Sequence, residues 1–585
     1  MPTGQVVERF FSTRHPAELQ LEERLMGDGL STLDGIVLGG YVLAMLGMGL
    51  YIARRNASTE DFFLGGRSLP SWAVGISLIA SLLSTITYLG MPGEMFRTGL
   101  GFLTRQLALP MVLGIVWFVW IPFFMRLNLT SAYEYLERRF NYTTRVLAAV
   151  FCICLLLGWI SVVVLTAASA MKEIANLQLK WFFSSNPADA DTHALILGIG
   201  MFSILYTTLG GLRAVVWTDV VQFFVLLGGA FFTMGAIAWR TNSGLGDWID
   251  FSMSYDHEPV EWFSFDVANR STVFSIAIGM AFWHACTHGS NQVALQRYFS
   301  VKSVGEARKS FLVNAASSIG LGFILAIVGI ALMYFILNEG YAGGEMLNTK
   351  ADLIQDADSK LRQTAQDKVF PQFIRMYLPD GLRGLVVAAL FAAAMSTIDS
   401  GANSISTIVT VDFLRPLRSR KKRTLTKEEE LKIARFLTAG MGFVVVASTL
   451  TIYHISKGTN IIDLCQKGFN CFLGPLGALF VLGMFSRKAV PATVVPAVIV
   501  GEFVGIVTSY SGEILDRQFS THLVVPASFV ATFATSLLLS SLFDSEANEF
   551  EQRWMWKRIT SDGPPEEKAQ SAEDNWNVLP DGKST

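Results

Sequence analysis

The amino-acid sequence predicts an all-α polytopic membrane protein with about thirteen transmembrane helices. Three observations carry that prediction. Of the 585 residues, 51% are hydrophobic and only 16% charged, with a mean hydropathy of +0.42; a soluble chain carries roughly 25% charged residues. The apolar residues arrive in blocks of about 20, long enough to cross a ~30 Å hydrocarbon core. The blocks follow no solenoid period and are too long for barrel strands, so each must close its backbone hydrogen bonds internally as a helix.

In chain order the blocks run approximately 33–53, 71–96, 102–125, 146–171, 192–209, 214–239, 272–292, 311–337, 383–411, 436–454, 460–485, 490–510 and 521–543. Residues 33–543 therefore form the membrane domain. Residues 1–32 are charged and lack an apolar signal region, and read as an extracytoplasmic N-terminal segment. The tail 544–585 is polar, contains Pro564 and Pro565, and reads as largely disordered and cytoplasmic, with Trp554 and Trp556 at the bilayer surface. The five cysteines lie in or beside apolar blocks without metal spacing and read as small buried hydrophobes.

Loop charge sets the expected orientation. Arg54, Arg55 and Arg67, then Arg126, Arg138, Arg139 and Arg145, then Arg297, Lys302, Arg308 and Lys309, and finally the 415–423 run all fall on one side if the spans alternate. Asp247, Asp250, Asp256, Glu258 and Glu261 fall on the other. The positive-inside rule places the N-terminus outside and the C-terminus in the cytoplasm of a plasma (inner) membrane. A net charge of −2 gives no reason to expect nucleic acid as a partner; the lipid bilayer and a small molecule are the expected ones. No metal cluster or nucleophile constellation appears in the spans, so neither a cofactor nor an enzymatic reaction is expected.

Three segments carry chemistry. In Ile76–Glu94, small and hydroxylated residues crowd a span, and Gly90, Pro92 and Gly93 suggest an interrupted helix. An interruption frees carbonyls that lipid cannot satisfy, which a hard cation accepts as ligands; close packing of small residues is the equal alternative. In Gly381–Thr407, Ala393, Ser396 and Thr397 share one helical face, offering two hydroxyls and a carbonyl. Asp399, a carboxylate inside a span, is a functional candidate or a charge that stabilises packing in a water-filled vestibule. Asp219, in Gly210–Gln222, is a second such carboxylate, placed to neutralise an ion or to pair with Arg213.

At this point the sequence resembles the sodium:solute symporter family, relatives of the sodium/glucose, sodium/proline and sodium/monocarboxylate cotransporters. The residues that carry the resemblance are Asp61–Arg67, Ala80-Ser81 through Gly90, Gly210–Asp219, Asn291-Gln292 through Tyr298, Ala393–Asn403 and Gly474-Pro475, within roughly 33–510. The resemblance implies a leucine-transporter-type fold of two inverted five-helix repeats, here about 71–239 and 272–485. It implies sodium as the coupling ion, held by the carbonyls of Ala80 and Leu83 together with Ala393, Ser396 and Thr397. Asp219 matches a family aspartate near the sodium path or a second sodium site, and Asp399 is grouped with it. Family sugar-site positions fall on Thr87, Gln106, Thr287, Ser318 and Gln466. Gln466 alone keeps the sugar-type identity, which argues against a plain glucose or galactose pocket. Arg105 is placed either to clamp a solute carboxylate or to snorkel to water. Tyr88 reads as an outer gate or as packing, and His288 as structural.

The expected function is thus sodium-coupled symport into the cell of a small organic solute, monocarboxylate-like or sugar-like, by alternating access. A proton-coupled carrier on the same fold and a solute sensor are the alternatives. The polar outer connection at about 339–380 reads as a lid or as a plain connection.

Overall fold

A computed structural model describes residues 29–54, 58–175, 187–255, 263–268, 272–337, 359–420, 426–455 and 461–565. The chain is helical wherever it is regular, and no strand occurs among the described residues. The leading helix α1, Thr32–Ala53, starts on a Ser31 cap whose hydroxyl accepts the Asp34 N–H. Helices α2 (Ser71–Leu82) and α3 (Thr85–Thr98) meet at a 64° bend. Then follow α4 (Gly99–Arg126), short α5 (Glu134–Arg139) and α6 (Tyr142–Ala175). Helix α7, Pro187–Thr241, turns at Gly211, where φ is 59° and a Cβ would lie 2.6 Å from the Phe62 carbonyl oxygen. Glycine is the residue that tolerates both constraints.

The second half holds α8 (Gly279–Ser290), α9 (Gln292–Phe299) and α10 (Val304–Leu337). It continues through α11 (Ser359–Tyr377), α12 (Leu382–Ile408), α13 (Lys427–Ile455), α14 (Ile461–Gly468) and α15 (Leu473–Phe485). The pair α16 (Pro491–Ser509) and α17 (Val524–Leu542) closes the bundle and packs chiefly on itself and on α15.

Nine described helices are singly long and apolar enough to cross a membrane, or ten with the bent pair α2–α3. The expected crossings at 192–209, 272–292 and 460–485 are not among them. The first shares α7 with its successor across Gly211, the second opens on a π turn and breaks at Asn291, and the third is interrupted at Asn470–Phe472. Interrupted helices at membrane depth occur where protein or a cavity satisfies the freed backbone groups.

Helix α12 is the centre of the molecule, with nearly every side chain buried. It packs on α7 most extensively, and also on α6, α1, α13 and α2. Its Ala, Ser and Gly residues permit that close approach; at Gly401 an added Cβ would meet Ile160 Cδ1 at 2.4 Å. Large apolar side chains such as Phe224, Phe436, Phe443, Phe503 and Leu538 point outward. In hydrocarbon they lose nothing by exposure, which is how an apolar outer surface is compatible with a stable bundle.

Three sequence expectations change on inspection. The interruption in the first chemical segment falls at Leu83-Ser84 and not at Gly90–Gly93; Pro92 is accommodated inside α3. Three arginines counted as loop charges are buried. Arg139 donates to the Gly483, Ser486 and Ala489 carbonyls at the end of α15, Arg145 pairs with Asp412 at 2.7 Å, and Arg297 pairs with Asp219. The start of the tail is folded: Trp554 is buried beneath Arg138, and the Trp556 indole donates to the Val119 carbonyl at 3.1 Å. Of the 339–380 connection, residues through 358 lie outside the described residues. From Ser359 it forms α11, whose Phe370 and Phe373 are buried as the helix packs on α6 and α3. Residues 1–28 and 566–585 likewise lie outside the described residues.

Candidate functional site

The break between α2 and α3 leaves unpaired carbonyls at the end of one helix and unpaired N–H groups at the start of the next. Leu83 is extended (φ −95°, ψ 106°), so the last carbonyls of α2 are not taken up by a following turn. Helix α12 passes beside them. Ser396 Oγ donates to the Ala80 carbonyl at 2.8 Å and Thr397 Oγ1 to the Ser81 carbonyl at 3.2 Å. Both hydroxyls also lie within reach of the Ala393 carbonyl, at 3.3 and 3.4 Å. Ala80, Leu83, Ala393 and Ser396 line one small cavity of about 10 Å³. The five residues read from the sequence as a cation set are therefore adjacent, on two different helices. Their oxygens are neutral and suited to a hard monovalent ion.

Asp219 lies in a second cluster. Its Oδ2 accepts from Ser77 Oγ at 2.5 Å, from Ser81 Oγ at 3.2 Å and from Arg297 Nη2 at 3.1 Å. Arg297 also donates to Ser77, Ser81 and Ser400, so α2, α7, α9 and α12 meet at one ion pair. The Arg213 partnership expected from the sequence does not form. Arg213 binds the Gly65 carbonyl at 2.9 Å, because six residues place it far around the helix from Asp219. Asp399 is fully buried rather than in a vestibule, and accepts from Thr207 Oγ1 at 2.5 Å.

A larger cavity of about 150 Å³ opens beside the break and is lined by Leu83, Thr87, Arg105, Gln106 and Ser318, among others. Leu83 lines both cavities. Arg105 is thus on the cavity wall, where its guanidinium also sits over the Phe102 ring. Two expected wall residues lie elsewhere. Tyr88 is buried against Phe370, with ring centroids 5.6 Å apart, and Thr287 is buried away from the cavity. The Gln466 side chain lies outside the described residues. His288, read from the sequence as structural, is buried and bonded to the Tyr298 hydroxyl at 2.8 Å.

Sequence reasoning missed Trp159, His284, Asn314, Phe469, Asn470 and His522 on the wall. Asn314 was findable, being one turn from Ser318 on α10. His522 carried no signal, since it arrives from the α16–α17 connection, outside the expected repeats. Trp159 and Phe469 stack at 6.4 Å and 20°, presenting an aromatic wall. No acidic side chain lines the cavity among the described residues.

A bundle with a broken helix at its centre, an oxygen-lined pocket across that break and a polar cavity beside it defines a membrane carrier. The model of the sodium:solute symporter family matches residues 62–501, and the chain belongs to that family. It is a transporter and an integral membrane protein, not an enzyme. It is 32% identical to the sodium/sialic acid symporter NanT of Aliivibrio fischeri over 461 residues, 78% of this chain and 84% of that one. It is 29% identical to the human sodium-coupled monocarboxylate transporter 1 over 77% of this chain and 69% of that one. A solved substrate-bound, outward-open state of a Na+-coupled sialic acid symporter superposes with a TM-score of 0.74 at 25% identity. That match covers 89% of this chain and 99% of the other. The fold is of the leucine-transporter type.

Proposed function

We propose that this chain imports a small organic solute bearing a carboxylate, together with sodium, by alternating access. The observation that carries the reading is Arg105 on a cavity wall with no described acidic residue. A guanidinium is always charged and presents a planar fork that matches a carboxylate. The amides of Gln106, Asn314 and Asn470 and the hydroxyls of Thr87 and Ser318 suit hydroxyl or acylamino groups on the rest of the solute. The Trp159–Phe469 wall suits its apolar face.

Sodium would sit against Ala80, Leu83, Ala393, Ser396 and Thr397, bridging α2 and α12. The Ser396 and Thr397 hydroxyls donate to the Ala80 and Ser81 carbonyls of α2. A bound cation would take the Ala80 and Leu83 carbonyls together with that of Ala393, and the Ser396 and Thr397 hydroxyls would turn their oxygens to it. Leu83 lies on both cavities, so fixing the break for sodium also fixes one wall of the solute site. That differential preference for one arrangement is what coupling requires. The inverted repeats at 71–239 and 272–485 would supply the two moving halves, each containing an interrupted helix. Asp219, which accepts from Ser77 and Ser81 of α2, and the buried Asp399 would serve the sodium path or a second sodium site.

The exposed Lys302 and Lys309 and the half-buried Arg308, Arg415 and Arg418 support a cytoplasmic assignment for their side, with the N-terminus outside. Each sodium entering down ~100 mV then contributes about 2.3 kcal/mol from voltage. Uptake of sialic acid, monocarboxylates and glucose into proteoliposomes, in sodium and in choline at constant pH, tests the reading. A carboxylated solute should be taken up in sodium only. Arg105→Gln should raise its KM by about tenfold or more. Undiminished uptake in choline would favour proton coupling.

A further inference from the structure

Helix α16 carries a carboxyl group, Glu502, inside a span that holds no other charged residue. It lies just beyond the segment 62–501 that the family model matches. An ionisable side chain within a span is costly and calls for a function. Both carboxyl oxygens are covered by protein, and neither makes a hydrogen bond of ordinary geometry among the described residues. The face of α16 that bears Glu502 packs on the break between α14 and α15. At Gly505, one turn along, an added Cβ would lie 3.1 Å from Cys471 Cβ, and the Cys471 thiol lies beside the Glu502 carboxyl group. The other groups near it are neutral: Cys154 of α6, and Ser528 and Thr532 of α17, which meet α16 at Gly505 and Gly501. Helix α15 contributes no charged side chain. Lys467, at the end of α14, is paired with Glu513 at 2.8 Å, and His522 of the Thr521–Leu523 turn lines the larger cavity. That cavity is also where the break leads. Phe469 stacks on Trp159, Asn470 Oδ1 accepts from the Trp283 indole at 3.1 Å, and both residues form part of the wall.

We propose that Glu502 is a positioning residue for the solute site: as the neutral acid it bonds Cys471 and holds the Asn470–Phe472 turn, with Phe469 and Asn470, against the cavity. A neutral carboxyl group both donates and accepts, so it can bond the thiol in either direction. A carboxylate in the same place would be a charge without a counter-ion at membrane depth. The turn needs such support because an interrupted helix frees backbone groups that lipid cannot satisfy. The inference rests on the reading of the larger cavity as the solute site and extends it to a helix outside the two repeats.

The purified full-length chain and its Glu502→Gln and Glu502→Leu variants test the assignment. At neutral pH the infrared difference spectrum, wild type minus Glu502→Gln, should contain the C=O stretch of a protonated carboxyl group. The wild-type melting temperature should fall with rising pH more steeply than that of Glu502→Gln, because the folded chain holds a proton that the unfolded chain has lost. Alkylation of Cys471 by a maleimide, located by mass spectrometry, should be about tenfold faster in Glu502→Leu and near the wild-type rate in Glu502→Gln, whose amide still donates and accepts. Sialic acid or lactate, whichever binds the wild type at saturating sodium, should bind Glu502→Leu about tenfold more weakly and Glu502→Gln within about twofold. Absence of the carboxyl band, or equal exposure of Cys471 in the two variants, overturns the proposal. Faster alkylation in Glu502→Leu with unchanged solute affinity overturns its link to the solute site. If neither solute binds the wild type, the solute reading fails, while the band and the alkylation rates still decide the role of Glu502 at the turn. Should Glu502→Leu not fold, the band and the pH dependence of Glu502→Gln decide.

Discussion

Ser396 and Thr397 were readable from sequence because a hydroxyl pair at i+3 and i+4 from Ala393 can face only one way on a helix. Ala80 was readable because the resemblance extends unbroken through Ala80-Ser81. What spacing alone does not carry is the partner across the bundle. Asp219 was assigned a neighbour in sequence, Arg213, and found one 78 residues away, Arg297. Both members of that pair are fully buried, so removing one strands the other. Arg297→Leu should destabilise the protein by about 3–5 kcal/mol, and Arg297→Leu/Asp219→Leu by less, since no charge is then left alone. Thermal denaturation of the two single variants and the double variant checks this. A double variant as unstable as the sum of the singles contradicts it.

Among the elements, the block pattern located the apolar segments because membrane insertion leaves its mark on composition. It did not locate the breaks. Gly90, Pro92 and Gly93 were expected to interrupt the helix, yet Pro92 sits within α3 and the break falls at Leu83-Ser84, where neither residue is a helix breaker. Tertiary hydrogen bonds from α12 decide that position, and they are invisible to local propensity. Nor did the sequence show how α1 is held. Asp34 accepts from the Gly381 and Gly384 N–H groups at 2.7 Å each, serving as the N-terminal cap of α12 from outside that helix. Asp34→Ala should lower stability by about 1–2 kcal/mol. It should leave the sodium midpoint unchanged, because the cap lies at the opposite end of α12 from its basic terminus and away from both cavities. Melting temperature and sodium titration of the same preparation separate the two effects; a shifted midpoint with an unchanged melting temperature contradicts it.

For the whole molecule, the helical class, the membrane setting and the family were legible, since each is written over hundreds of residues. The wall of the larger cavity was legible only in part. His522 comes from the connection between α16 and α17, and Phe469 and Asn470 from the break between α14 and α15, so the wall is assembled by packing rather than by any one motif. The central claim is that two adjacent cavities sharing Leu83 bind their ligands cooperatively. Linkage requires that sodium tighten solute binding by the same factor by which solute tightens sodium binding. Calorimetric titration of a carboxylated solute into the purified chain, in sodium and in potassium at equal ionic strength, measures that factor directly. The account predicts affinity at least about tenfold higher in sodium, a coupling of ~1.4 kcal/mol, and its loss in Ser396→Ala/Thr397→Ala. Equal solute affinity in the two salts would contradict it.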